Sequence, residues 1–357
     1  MDKKLFFENV YIASEARKYP LTERIISRID FGRIVDITGE NHPGDGLLLT
    51  VNKGTFLKPC PGMKGNICCG LWVIEWGMGC PFNCEYCVLQ YYQKSGDITL
   101  YMNWNDCIAE IKELGEKNMP ARICTGEYGD SVALEPVFPF HSEIIPEIAH
   151  FKNISIEIKT KSSDIENLLS LNHYLNDNSA RIIFSFSVNA LSNIRQFERG
   201  TSTLIERIFA ARKAVTKGFK TAFHFDPIIP LNNWPEEYAE TVDLIAKHIS
   251  HESIAWISLG TFRFPHGFIA NAEEKYPDSM IFREEFYPCK DGKMRYFRPF
   301  REEIYRYMTN YINQKLPETK VYLCMESQDV WERINNTSLS SSTLKTSLDK
   351  LIQPNLK

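Results

Sequence analysis

From residue 71 onward, short apolar runs alternate with longer stretches whose apolar positions recur every three to four residues. The runs at 71–76, 121–125, 154–160, 181–188, 220–226, 254–260 and 320–324 have strand length and are rich in β-branched and aromatic residues, which predicts strands. Between them, 104–117, 141–149, 164–171, 203–217, 236–248 and 301–315 carry a helical period. In 203–217, Leu204, Ile208, Ala211 and Val215 fall on one face. Strands alternating with helices predict a parallel sheet joined by crossover helices. Six such units and one further strand predict an α/β fold, a partial and open (βα)6 TIM-like barrel, with functional residues at the C-terminal ends of the strands. Residues 1–70 are mixed in pattern, rich in Gly and Pro between Gly39 and Gly65, and read as an N-terminal extension. The barrel is assigned to 71–265, and 266–357 to a C-terminal region that completes or caps it.

Composition narrows the setting. A chain of 357 residues, 43% hydrophobic, can bury a large core. No apolar run approaches the roughly 18 residues of a membrane span, so no membrane is expected. Ten cysteines behind a start without a signal-like apolar segment predict a cytoplasmic protein with metal-binding or catalytic thiols. The net charge of −4 argues against a clamp on duplex DNA. One basic patch, 290–306, carries Lys290, Lys293, Arg295, Arg298, Arg301 and Arg306 among Tyr296, Phe297 and Phe300. It fits a nucleic-acid surface, and fits equally a solvated helix start with its aromatics facing the core.

The chemistry concentrates at Cys80-Pro-Phe-Asn-Cys84-Glu-Tyr-Cys87, just after the first barrel strand. Three thiolates on one tight loop can ligate three irons of a [4Fe–4S] cluster and leave the fourth iron without a protein ligand. Structural zinc usually takes four ligands in paired sets, and no matching pair lies nearby. This CxxxCxxC resembles the signature of the radical SAM superfamily, in which S-adenosylmethionine binds the open iron and yields a 5′-deoxyadenosyl radical. The resemblance implies a [4Fe–4S] cluster, S-adenosylmethionine, and a reducing partner such as flavodoxin or ferredoxin.

Strand ends supply further candidates. Thr125-Gly126-Glu127 looks like the superfamily's turn that binds the cofactor ammonium. Lys161, with Lys159 as rival, offers a cation for the cofactor carboxylate, and Ser187 and Asn189 suit a ribose. Downstream, Phe197-Glu198-Arg199-Gly200-Thr201-Ser202, Glu206-Arg207-Ile208, Phe225-Asp226-Pro227-Ile228-Ile229-Pro230 with Trp234, and Phe262-Arg263 resemble the spore photoproduct lyase family, over roughly residues 57 to 325. That resemblance implies hydrogen abstraction from a methylene-bridged thymine dimer in DNA. Hydrogen would then return from a cysteine, here Cys124, helped by tyrosine, here Tyr86. Cys124 as a small buried hydrophobe is the competing reading.

The chain also departs from that family. Its repair enzymes carry tyrosine on both sides of the third cluster cysteine, whereas Val88 follows Cys87 here. The stretch 58–70 looks more like a lyase-like, DNA repair photolyase-like branch. Its Cys60, Cys68 and Cys69, completed by Cys289 or Cys324, could hold an auxiliary iron–sulfur cluster or metal, or could be structural. Besides DNA repair, two other functions are open: radical modification of a small molecule or peptide, and a non-catalytic iron–sulfur protein. Electron carriers ligate all four irons, which disfavours the last.

Overall fold

The computed structural model describes residues 4–38, 44–60, 62, 65–93, 97–175, 181–336 and 338–352. Seven strands, Trp72–Ile74, Ala121–Cys124, Ile154–Thr160, Ile182–Ser187, Lys220–Ile228, Ile254–Thr261 and Val321–Leu323, lie side by side in chain order. Every neighbouring pair is parallel. An eighth strand, Leu57–Pro59, pairs antiparallel with Trp72–Ile74 at one edge. The sheet curls into an open half-barrel, as the alternation of elements predicted. Helices cover its outer face, so the central strands are buried on both sides: each residue of Ile182–Ser187 and Ile254–Thr261 is buried.

Five of the expected helices form at Trp104–Glu116, Phe140–Ile148, Leu204–Thr216, Trp234–His248 and Arg298–Lys315; the expected 164–171 segment forms a 3-10 helix, Glu166–Leu175. Leu204–Thr216 starts at a capping box. The Thr203 hydroxyl accepts from the Glu206 N–H, and the Glu206 carboxylate accepts from the Thr203 N–H.

The N-terminal region is more structured than its sequence pattern suggested. Asp30–Ile37, Phe6–Ala13, Leu47–Thr50 and Ile98–Tyr101 form a parallel sheet, with Gly77–Met78 added antiparallel. Val10, Ile12, Leu47 and Leu49 join the main core. The chain therefore leaves the barrel at 72–74, touches the N-terminal sheet at 77–78, and enters the cysteine loop from there. It returns to that sheet at 98–101. The N-terminal sheet thus fixes both ends of the loop, through the pairing of Gly77–Met78 with Ile98–Tyr101.

The gap of the half-barrel is bridged. Asn66–Ile67 pairs antiparallel with Glu326–Ser327, which joins the segments that follow its two edge strands. Ser341–Ile352 packs against the 254–261 strand, and its Asp349 takes the buried Arg122 guanidinium at 2.8 Å.

Candidate active site

Cys80, Cys84 and Cys87 are unpaired thiols around one cavity at the C-terminal ends of the strands. Their loop is braced by a segment more than a hundred residues away. Asn83–Cys84 pairs antiparallel with Glu198–Arg199, and the Glu85 N–H donates to the Phe197 carbonyl at 2.9 Å. Arg199 reaches the Glu85 carboxylate at 2.8 Å. Tyr86 donates to Glu198, which Arg207 holds at 2.6 Å with both side chains buried. Burial pushes the Glu198 carboxyl up, but Arg207 and Lys161 outweigh it and hold the group below its usual range. The buried Tyr86 hydroxyl is pushed far up and stays protonated.

Burial pushes the Cys84 thiol up to about 12, and the Cys80 thiol well above its ordinary value. Such thiols give up their protons only to a metal. Among the described residues no three His, Cys, Asp or Glu side chains are gathered for a single ion. With the free thiols, the cavity they border and the bracing of their loop, these residues fit a [4Fe–4S] cluster.

The cysteine cavity also takes Gly126, Glu127, Lys159, Lys161 and Ser187 on its wall. Glu127 pairs with Lys159 at 3.2 Å. Lys161 forms no ion pair with any described residue, and its ammonium lies 5.7 Å from the Tyr86 ring centre. Of the two rival lysines, Lys161 is thus the one left with charge to offer. Gly126 is required by its neighbour: a Cβ there would stand 2.6 Å from the Lys159 carbonyl oxygen. Close strand packing, not approach to a ligand, is what excludes a side chain at this position.

Three expected residues face elsewhere. The Thr125 hydroxyl lies 2.8 Å from both Ser131 and His141, and its carbonyl accepts from the Trp76 indole at 2.6 Å. The Asn189 carbonyl oxygen accepts from the Ala190 N–H, the Asn193 amide and the Tyr238 hydroxyl, while its amide donates to the Pro227 carbonyl at 3.1 Å. Cys124 is 0% exposed and lines neither this cavity nor the one beside it. Asp130 went unnoticed in the sequence. It accepts from the Lys161 N–H and the Thr160 hydroxyl, both at 2.6 Å, and so fixes the turn that carries Lys161. The Gly129-Asp130-Ser131 run after a strand was its one signal.

A second cavity, of about 500 Å3, shares Tyr86, Cys87, Val88, Glu127, Lys161 and Asp226 with the first, so the two are continuous. Arg263 and Lys293 on its wall come from a three-stranded sheet of Arg263–Pro265, Lys293–Arg295 and Tyr287–Pro288. Arg263 grips Asp226 through two hydrogen bonds of 2.8 and 3.0 Å. Cys60 lies on the wall of the large cavity. Cys60, Cys68, Cys69 and Cys324 border a third, small cavity where the barrel edges meet, whereas Cys289 lies on the 287–295 hairpin.

The family model for spore photoproduct lyase matches residues 69–324. The chain belongs to the spore photoproduct lyase family. Spore photoproduct lyase of Clostridium acetobutylicum is 26% identical over 249 residues, 66% of this chain and 71% of that protein. The Geobacillus enzyme is 25% identical over 263 residues, 70% of this chain and 75% of its own length. A crystallised spore photoproduct lyase variant with bound AdoMet and dinucleoside spore photoproduct superimposes with a TM-score of 0.74, covering 90% of this chain and 100% of that one, at 22% identity. Family membership makes the chain a radical SAM enzyme of lyase type, with an iron–sulfur cluster and S-adenosylmethionine as cofactors.

Proposed function

We propose that this enzyme repairs thymine photoproducts in DNA, with the cofactor between the cysteine loop and Lys161 and the lesion in the large cavity. The observation that carries this reading is the continuity of the two cavities: a base entering at the hairpin would come to rest beside the cysteine loop. Its volume lies within the range of about 300–1,000 Å3 typical of ligand sites. Tyr287 and Phe297 pack together on the hairpin's outer side, 45% and 56% exposed, where bases can stack.

Cys80, Cys84 and Cys87 would hold the cluster, which when bound supplies, with S-adenosylmethionine, a 5′-deoxyadenosyl radical. Lys161 would pair with the cofactor carboxylate, and Glu127, preset by Lys159, would accept from its ammonium. Ser187 serves the ribose, whereas the hydrogen bonds of Thr125 and Asn189 make them supports of the site. Tyr86 orients the loop through Glu198. Cys124, in line with the family, belongs to the hydrogen-returning machinery. A flavodoxin- or ferredoxin-type reductant in the cytoplasm would supply the electron. The domain division reads as 1–70, 71–265 and 266–357. For a second cluster on Cys60, Cys68 and Cys69, Cys324 on the shared cavity is the candidate fourth ligand; iron near eight rather than near four per chain would mark it.

A second reading, radical modification of a non-DNA substrate, is favoured by one fact. Arg295, Arg298 and Arg301 of the basic patch are held in ion pairs with Asp291, Glu302 and Glu326. An anaerobic assay of reconstituted protein with reductant, S-adenosylmethionine and a thymine photoproduct dinucleotide separates the two. Repair predicts 5′-deoxyadenosine together with thymidylyl-thymidine. If 5′-deoxyadenosine alone appears, the DNA substrate is wrong and the radical chemistry stands.

A further inference from the structure

The turn that carries Gly126 and Glu127 to the cofactor cavity is closed at its neck by two buried hydroxyls. The chain enters the turn at Thr125 and leaves it at Ser131, and the two side-chain oxygens lie 2.8 Å apart. The Ser131 hydroxyl accepts from the Lys159 N–H at 3.1 Å, and the Ser131 N–H donates to the Lys159 carbonyl at 3.2 Å. Glu127 pairs with the side chain of that same Lys159, so the neck sets both members of the ion pair relative to each other. Behind the neck lie two further groups. His141 Nε2 is 2.8 Å from the Thr125 hydroxyl, and its Nδ1 is 2.8 Å from the Glu135 carboxylate. That carboxylate also accepts from the His141 N–H, the Ser142 N–H and the Ser142 hydroxyl at 3.3, 3.1 and 3.0 Å. A group that only accepts dictates the direction of every bond upstream. His141 donates through Nδ1, so Nε2 is left to accept from Thr125; Thr125 accepts from Ser131, and Ser131 from the Lys159 N–H. The order Thr, His, Glu resembles that of an activated nucleophile. Thr125 and His141 are each 1% exposed, however, and none of the three lines either cavity of the site, so the hydroxyl has nothing to attack.

We propose that Thr125, His141 and Glu135 are positioning residues for S-adenosylmethionine, which hold the 126–131 turn so that Glu127 meets the cofactor's ammonium. The proposal rests on the reading of Glu127 as the acceptor for that ammonium. Because the bonds run in one direction, cutting any of them leaves a buried donor or acceptor without its partner, and the chain relaxes as a unit. The turn moves with it, and Glu127 with the turn. None of the three residues reaches the cofactor, so their loss falls on its binding and not on the radical step.

The test uses reconstituted enzyme and S-adenosylmethionine. Affinity is read by anaerobic equilibrium dialysis without reductant, and 5′-deoxyadenosine release is read separately with reductant present. Thr125→Val keeps the shape of the side chain and removes its hydroxyl. It should weaken S-adenosylmethionine binding about tenfold, the worth of one buried hydrogen bond. KM should rise by the same factor while kcat stays within about twofold, the pattern of lost uniform binding. Thr125→Ser restores the hydroxyl and should bind as wild type does. Glu135→Gln replaces an acceptor with a donor and should behave like Thr125→Val. All of these variants should keep the wild-type iron content. Glu127→Gln serves as the reference. If it binds weakly while Thr125→Val binds like wild type, the proposal is overturned and the ammonium reading stands. If Glu127→Gln itself binds like wild type, the ammonium reading falls and takes the proposal with it. A Thr125→Val enzyme that sheds iron or unfolds, one that loses kcat at unchanged KM, or a Thr125→Ser enzyme that restores nothing, would make the chain a brace of the barrel and overturn the assignment.

Discussion

Glu157 lies in the barrel interior, on the face of its strand that also carries Ser155 and Lys159. It accepts from Ser185 at 2.7 Å and lies 2.7 Å from His224, whose other ring nitrogen meets Ser258 at 2.5 Å. Four adjacent strands are thereby tied across the core. Burial pushes the Glu157 carboxyl up, yet His224 and Ser185 outweigh it and hold it at about 2, against 4.5 for the free group. A depressed carboxylate contributes stability in full above the unfolded value and loses it as pH falls toward the folded one. The contribution is on the order of 3 kcal/mol. Glu157→Gln should therefore lower the urea midpoint at pH 7, and the gap from wild type should close between about pH 4.5 and 2. A gap that is constant with pH would mean that packing, not charge, is what the substitution disturbs. The sequence gives no hint of this network, since Glu157 alternates with Ser155 and Lys159 along its strand and its partners Ser185, His224 and Ser258 lie far along the chain. The same blindness explains Thr125 and Asn189: they stand at strand ends as expected, but which way an amide or hydroxyl turns depends on partners such as Trp76 and Tyr238 that lie far along the chain.

The cluster loop and the 197–207 segment were separate signals in the sequence, one from cysteine spacing and the other from family resemblance. The structure joins them, because Glu198 and Arg199 form the strand that pairs with Asn83 and Cys84. Arg207 is 0% exposed and neutralises Glu198 while also donating to the Ser187 carbonyl at 2.8 Å. Breaking a buried pair from one side leaves an uncompensated charge and costs about 3–5 kcal/mol. Arg207→Met should lower the melting temperature and, because Tyr86 loses its anchor, shed iron faster under a chelator. Unchanged iron retention would show that the loop holds itself. Elements with a clear period, such as Leu204–Thr216, were legible to within a residue or two. The N-terminal sheet was not. A Gly- and Pro-rich stretch precedes Leu47–Thr50, and the fourth parallel strand, Ile98–Tyr101, comes from beyond the cysteine loop.

The whole molecule carries a net charge of −4, so any DNA contact must be local. In the sequence the 290–306 patch looks like six cations. In the fold, Arg295, Arg298 and Arg301 are paired with carboxylates of the same chain, and Tyr296 and Phe300 join the aromatic packing beneath them. Lys290, Lys293 and Arg306 form no ion pair with any described residue, and Lys293 stands on the cavity wall. Burial, with Arg263 and Arg295 close by, pulls the Lys293 ammonium below its ordinary value, which an approaching phosphate would reverse. Three available cations on a single strand predict that log K falls with log salt at a slope of about −2, from roughly 0.7 per phosphate neutralised. Titrations of a photoproduct-containing oligonucleotide between low and moderate salt should give that shallow slope, and Lys293→Ala should flatten it further. A slope steeper than about −5 would require a phosphate-binding face outside this hairpin. Binding that is nearly independent of salt would instead place recognition in the apolar cavity and the exposed pair Tyr287 and Phe297, where a lesion is held by stacking and shape.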